Sequence, residues 1–273
     1  MKNLVSIVIP CFNHGKYLYD AIMSVERFYG LYSYEIIIVN DGSTDSYTND
    51  IVSSLNKDKY IVINQSNQGL AAARNNGINI ASGEYIIPLD SDNMLEEAYL
   101  KTGVGILEKD PSVDVVYGDA IFFGDNDGIR KTGLSEAGSF DLVRILNSNY
   151  IDACAIFRKS AWKKVGGYDG KMPAMGHEDW EMWIHIFLSG GNLYYLNEVC
   201  FRYRIVVGSM LVTDLEAKHK ANKDYIYNKH TNSIINNLSE SVKKLEASKH
   251  EIINYLAHYK LRSIFKLILG YKF

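Results

Sequence analysis

Residues 5–10 (VSIVIP), 35–40 (EIIIVN), 60–64 (YIVIN) and 85–89 (YIIPL) form near-continuous apolar runs. A strand with one face in water alternates apolar and polar residues. These runs do not alternate, so each is expected to be covered on both sides. Between them lie stretches with helical spacing: residues 17–28 through Leu18, Ile22 and Val25, a helix through residues 51–55, the Ala-rich residues 69–81, and residues 95–108. Strand–helix alternation predicts a parallel sheet with helices on both faces. Ligands of such sheets sit outside the carboxyl ends of the strands. That rule singles out residues 10–13, 40–45 and 90–93, and two of these three loops are acidic.

From residue 113 the pattern changes. Residues 113–118, 120–124, 153–157, 192–196 and 200–204 read as strands. Residues 180–188 read as a helix, with Trp183 and Phe187 four apart, and beyond residue 213 the chain turns polar and helical. The 273 residues are 47% hydrophobic and 22% charged, which excludes a disordered or collagen-like chain. A net charge of −3 gives no whole-molecule field for nucleic acid. Three scattered cysteines make no C-x-x-C pair and suit a reducing compartment. The N-terminal apolar run is too short for a signal peptide, and no run suffices to span a membrane, so a soluble, cytoplasmic protein is expected.

Four segments carry candidate chemistry, each with a plainer alternative. Asp41 ends an apolar run in IIIVNDGSTD. Asp-Gly makes a turn, and Ser43 or Thr44 can cap the following helix. Alternatively the ionised carboxylate, an acceptor only, takes the N3–H of a uracil ring, an edge thymine shares and cytosine lacks. Asp90-Ser91-Asp92 follows the fourth run; a lone D-x-D occurs by chance in loops, and alternatively, at a strand's carboxyl end, its two carboxylates suit Mg²⁺ or Mn²⁺ and a bound diphosphate. Arg74 either pairs with Glu84 at the surface or reaches phosphate or ribose in the crevice. In Gly176-His177-Glu178-Asp179-Trp180 the acids either complement a helix dipole or supply a general base, if burial lifts Asp179 toward neutrality against that dipole.

Taken in order, VSIVIPCFNHGKYL, EIIIVNDGSTD, NQGLAAARNNGINIASGEYIIPLDSDN and GGYDG…GHEDWEMW resemble the family 2 glycosyltransferases, inverting enzymes with the GT-A fold, over about residues 4–205. The resemblance implies an α/β fold: a Rossmann-like, mostly parallel sheet with helices on both faces and a C-terminal helical extension. It implies a catalytic domain over residues 1–212, with a nucleotide-sugar part (1–118) and an acceptor part (119–212), and an extension over 213–273. Pro10, Phe12 and Asn13 would line the nucleoside pocket and Asp41 the uracil edge. Asn67 and Arg74 would contact the nucleotide. Asp90 and Ser91 would lie against it too, Asp90 at ribose or metal-bound water, and Asp92 would ligate Mn²⁺ or Mg²⁺. Asp179 would be the catalytic base, with Glu178 and Trp180 at the sugar and acceptor region.

The implied reaction is a single displacement from a UDP-sugar, or a dTDP-sugar, onto a hydroxyl of a glycan or lipid-linked glycan in bacterial surface polysaccharide synthesis. A nucleotidyltransferase and a non-catalytic nucleotide-sugar-binding or assembly module are the alternatives. One departure stands out. Many relatives carry Y-R-x-H-x-x-S-M, whereas this chain has Tyr203-Arg204-Ile205-Val206-Val207-Gly208-Ser209-Met210. Val206 cannot ligate a metal, and His177 and His185 are candidates by proximity alone. Residues 255–273 are basic and apolar, and suit either peripheral contact with the inner face of a membrane or a helix packing on the protein or on a second subunit.

Overall fold

A computed structural model describes residues 5–125, 127–132, 134, 136–206 and 215–268. The chain divides into two compact units, Met1–Tyr227 and Asn228–Phe273. The first contains the sheet. Its opening half comprises β1 (Val5–Cys11), α1 (Gly15–Glu26), β2 (Tyr34–Asp41), α2 (Ser46–Ser54), β3 (Ile61–Gln65), α3 (Leu70–Ile80) and β4 (Tyr85–Pro88). Next come β5 (Met94–Leu95), a π-helical turn (Tyr99–Gly103) leading into α4 (Val104–Lys109), β6 (Val115–Gly124), β7 (Gly128–Arg130) and α5 (Leu142–Asn147). Then follow β8 (Ile156–Arg158), α6 (Lys159–Val165), α7 (Glu178–Leu188), β9 (Leu193–Ile205) and α8 (Leu215–Ile268). Where residues 1–212 and 213–273 were the expected domains, the first compact unit takes in α8 up to Tyr227.

Among the described residues the strand order is β3-β2-β1-β4-β8-β6-β9-β5, with β7 beside β6. β1, β2, β3 and β4 pair in parallel, and β8 joins β4 antiparallel. Both faces of the parallel half are covered, as the unbroken apolar runs require. Ile7, Ile9, Ile36 and Ile38 share a cluster with Leu18, Ile22 and Val25 of α1. The alternate residues Val8 and Val39 meet α3 at Gly77, where an added Cβ would overlap Val8 Cγ1 and stand 3.0 Å from Val39 Cγ2. Residues 73, 74, 77 and 78 form the buried stripe of α3, so the small residues there set how closely helix and sheet approach.

Some local expectations change. The helix after β2 is capped by Asp45, whose carboxylate accepts from Thr48 N at 2.7 Å. Ser43 and Thr44 instead bond to Asn13. The two short strands expected at 113–118 and 120–124 are one strand, β6, and those at 192–196 and 200–204 are one strand, β9. Their pairing register shifts between Gly118 and Ala120, where Gly118 faces Leu196 but Ala120 faces Phe201. The extra β9 residues form an irregularity that interrupts the apolar pattern without ending the strand. Residues 94–95 pair with β9 rather than starting the helix expected from 95. Among the described residues no helix is long and apolar enough to cross a membrane.

Candidate active site

Parallel register brings the three acidic or polar loops together. Cys11 lies opposite Asn40 and Val8 opposite Pro88, so β1, β2 and β4 end side by side. Pro10 is buried at the end of β1, while Phe12 is 43% exposed beyond it. Asn13 follows with φ 55°, a left-handed conformation that Asn tolerates better than most residues. Its Oδ1 accepts from Thr44 N at 2.8 Å and Asp45 N at 3.2 Å, its Nδ2 donates to Thr44 Oγ1 at 3.1 Å, and its N–H donates to Ser43 Oγ at 3.0 Å. Asn13 thus ties the first loop to the second.

Asp41 is buried and ties the second loop to a third. Its Oδ1 accepts from Gln65 Nε2 at 2.7 Å and Gln68 N at 2.8 Å, and its Oδ2 accepts from Gly69 N at 2.9 Å. A carboxylate offers about four lone-pair positions. Three donors of the β3–α3 turn occupy this one, so Asp41 organises the turn and keeps one position to spare. Asn67 is exposed on the same turn, where its Oδ1 accepts from Gly69 N at 3.2 Å. Gly42 has φ +70°, and an added Cβ would come within 2.5 Å of Asn67 N, so the two loops meet only because that residue is glycine.

Arg74 connects segments far apart in sequence. It does not pair with Glu84, which pairs with Arg158 instead. The Arg74 guanidinium is 1% exposed and donates from Nη2 to Asp90 Oδ1 at 2.6 Å and from Nη1 to Glu178 Oε1 at 2.5 Å. Tyr168 lies over it with its ring centroid 5.5 Å away. Burial works against the guanidinium charge, but Asp90 and Glu178 outweigh it and hold the group protonated. Glu178 Oε2 in turn accepts from Gly176 N at 3.0 Å. One buried cation therefore anchors the DSD loop to the N-terminal turn of α7.

Asp179, next in that turn, is 7% exposed and accepts from Asn149 Nδ2 at 3.0 Å. Burial, and then the neighbouring charge of Glu178, push its carboxyl up to about 7 against the pull of Arg74 and Asn149. At the other end of the bridge, Ser91 is buried and Asp92 is half-buried. Burial and Asp90 push the Asp92 carboxyl up to about 6. His14 Nδ1 lies 3.8 Å from Asp92 Oδ2. Two hard carboxylates beside an imidazole form a donor set that fits Mn²⁺ or Mg²⁺.

The late motif also reaches this loop. Arg204 donates from Nε to the Asp92 carbonyl and from its backbone N–H to Asn93 Oδ1, both at 2.9 Å. Val206 is half-buried, and residues 207–210 lie outside the described residues. His177 is engaged elsewhere: its Nδ1 is 3.0 Å from Asn222 Nδ2, and burial, with His219 nearby, lowers its pKa. His185 Nδ1 lies 3.7 Å from Glu181 Oε1 on the same helix. Trp180, expected at the sugar region, is fully buried instead; it donates from Nε1 to the Ile145 carbonyl at 2.5 Å and stacks on His219. It supports α7 from inside and offers a sugar no surface.

His14, Asn149 and Tyr168 were not singled out from the sequence. His14 is adjacent to Asn13 in a loop already marked, and Tyr168 lies in the GGYDG segment, whereas Asn149 carries no signal. Asn222, fully buried on α8, accepts from Ala174 N and donates to Ala174 O, both at 3.0 Å, and so holds the loop before α7. A cavity of about 500 Å³ opens between α2 and β3, lined by Asn40, Asn49, Ser53, Lys57, Tyr60 and Asn64 among others. Asn40 and Asp41 point to opposite faces of β2. That cavity therefore lies across the sheet from the Asp41 carboxylate, and none of the site carboxylates lines it.

Residues 6–166 match the family described as Glycosyl transferase family 2. The chain is 29% identical over 238 residues to the glycosyltransferase GlyG of Streptococcus pneumoniae serotype 4, covering 79% of this chain and 75% of that one. It is 31% identical over 190 residues to a PGL/p-HBAD biosynthesis glycosyltransferase of Mycobacterium tuberculosis, covering 67% and 70%. Among solved structures, S. aureus TarS 1–349 in complex with UDP-GlcNAc superposes with a TM-score of 0.63 at 21% identity, covering 84% of this chain and 72% of TarS. That likeness identifies the GT-A fold. The nucleotidyltransferase and non-catalytic alternatives give way to these matches. With the strand ends, the order of the motifs and these likenesses in agreement, the chain belongs to glycosyl transferase family 2 and is a glycosyltransferase of the GT-A fold.

Proposed function

We propose that the enzyme transfers a sugar, with inversion, from a UDP-sugar to a hydroxyl of a glycan or lipid-linked glycan acceptor. The reading rests chiefly on Arg74, which joins Asp90 to the Glu178–Asp179 turn and so sets the diphosphate side and the base side on one buried cation. The uracil ring packs at Pro10 and Phe12, beside Asn13 and Asn67. Its N3–H takes the lone-pair position that the β3–α3 turn leaves open on Asp41. A dTDP-sugar presents the same edge and is the second donor to assay. TarS carries UDP and UDP-GlcNAc in its complexes, which supports beginning with UDP-sugars.

Asp179 takes the proton of the acceptor hydroxyl as that oxygen attacks the anomeric carbon. The bond from that carbon to the diphosphate oxygen breaks, and its electron pair leaves with UDP. A carboxyl titrating near 7 is suited to this work, since about half is ionised at neutral pH and the base remains strong. Asp92, Asp90 and His14 would hold Mn²⁺ or Mg²⁺, which neutralises charge on the diphosphate when bound. Arg74 acts through Asp90 and Glu178 as a positioning residue. Cys11, Cys154 and Cys200 are free and buried, which supports a reducing, cytoplasmic setting. Membrane contact through residues 255–273 rests on composition alone, since those side chains lie outside the described residues.

A thermal-shift screen of nucleotide-sugars with and without Mn²⁺, followed by transfer assays with the hits, tests this reading. UDP-sugars should raise Tm more with Mn²⁺ than without, and a hit should yield free UDP and a new glycosidic bond. Stabilisation by CDP-sugars equal to that by UDP-sugars would overturn the role of Asp41. Release of pyrophosphate from a nucleoside triphosphate would overturn the reaction class.

A further inference from the structure

The part of α8 that lies in the second unit, residues 228–268, makes about 60 Å of helix at 1.5 Å per residue. Along it Ile235, Leu238, Val242 and Leu245 are 55%, 38%, 54% and 72% exposed. Their spacing is three, four, three, a repeat averaging 3.5 residues. The broad stripe of a helix packed in a globular core repeats nearer 3.6, and a narrow two-per-heptad stripe marks a coiled-coil seam. Lys249, Ile252 and Leu256 continue the same register in the sequence, giving about three heptads, close to the least that sustains a coiled coil. In this register β-branched Ile235 and Val242 occupy a positions, and Leu238 and Leu245 occupy d positions. That choice favours two parallel strands, and a single Lys at an a position fixes register and oligomer state.

We propose that this seam is the dimer interface with a second copy of the chain, forming a parallel two-stranded coiled coil. The flanking positions agree with an identical partner. In a parallel homodimer Ile234 would face Ser239, Ser241 would face Glu246, and Ser248 would face Ile253, so no like charges meet at the flanking positions; the one like pair is Lys249 with its own copy, whose long stems let both ammonium groups reach water.

Sedimentation velocity on the full chain at about 10 µM tests this, and a dimer is expected. Leu238→Lys with Leu245→Lys should make the protein monomeric at that concentration, a loss of at least ~100-fold in association, with UDP-induced thermal shift unchanged. Lys249→Cys should form a symmetric disulfide dimer on mild oxidation, whereas the native chain should not, because its three cysteines are buried. A wild-type monomer at 100 µM, a dimer that survives the double substitution, or a dimer without the Lys249→Cys crosslink would overturn it. So would vesicle binding by a monomeric wild type that the double substitution abolishes, which would assign the seam to lipid.

Discussion

Replacing Asp179 with Asn should stabilise the protein at alkaline pH. The carboxyl rises from 3.8 in the free chain to about 7 in the fold, chiefly through burial and then through Glu178. Between those values the folded state binds a proton the unfolded chain has lost, so stability falls as pH rises through the window. The full cost of ionising the group is present above about pH 7 and absent below about pH 4. Three units correspond to roughly 2–4 kcal/mol. Asn removes that cost and keeps an oxygen to accept the bond from Asn149. Each kcal/mol moves Tm by roughly 2–4 °C in a domain of this size, so the variant should melt roughly 5–10 °C higher at pH 8. Calorimetry of both proteins from pH 4.5 to 8.5 should show the gap opening with pH. A variant less stable at pH 8, or a gap independent of pH, would refute the assignment of a buried, proton-holding carboxyl.

Glu178→Gln removes the like charge beside Asp179, so the acid limb of kcat/KM should move down by about one unit, giving a roughly fivefold relative gain at pH 6; a profile measured over pH 5–9 that moves up instead would contradict the coupling. Asp92→Ala should weaken Mn²⁺-dependent UDP binding by about tenfold or more, and calorimetry finding equal affinity with and without Mn²⁺ in the native protein would remove the metal role. Gly77→Val forces a branched side chain against Val8 and Val39 and should cost roughly 1–3 kcal/mol in urea unfolding; an unchanged midpoint would mean that α3 can shift off the sheet.

Much of the fold was legible because it follows from apolar continuity. The runs at 5–10, 35–40 and 85–89 became β1, β2 and β4, and the rule about strand ends then located the loops of Asn13, Asp41 and Asp92. Pairing register was not legible. Asp119 and residues 197–199 read as breaks between strands, yet Asp119 is buried inside a continuous one, accepting from Thr132 N and the Tyr195 hydroxyl. Side-chain partners at long range were also hidden. Nothing local to Arg74 indicates that its second carboxylate lies 104 residues away. The lift of the Asp179 carboxyl depends on burial and on partners distant in sequence, among them Arg74, Asn149 and Asp152, and no local pattern around Asp179 indicates them. Trp180 was misplaced because its neighbours carry the polar chemistry, while its own ring faces inward between α5 and the start of α8.

The central claim is that Asp179 is the base of a site assembled around Arg74. It is tested most directly by the pH dependence of kcat/KM in the native enzyme and in Asp179→Asn, with UDP affinity measured alongside. The native profile should carry an acid limb near pH 7, and the variant should lose roughly 10²–10⁴-fold in transfer while binding UDP within about threefold of the native protein. Turnover by the variant at the native rate, with the limb unmoved, would contradict the account.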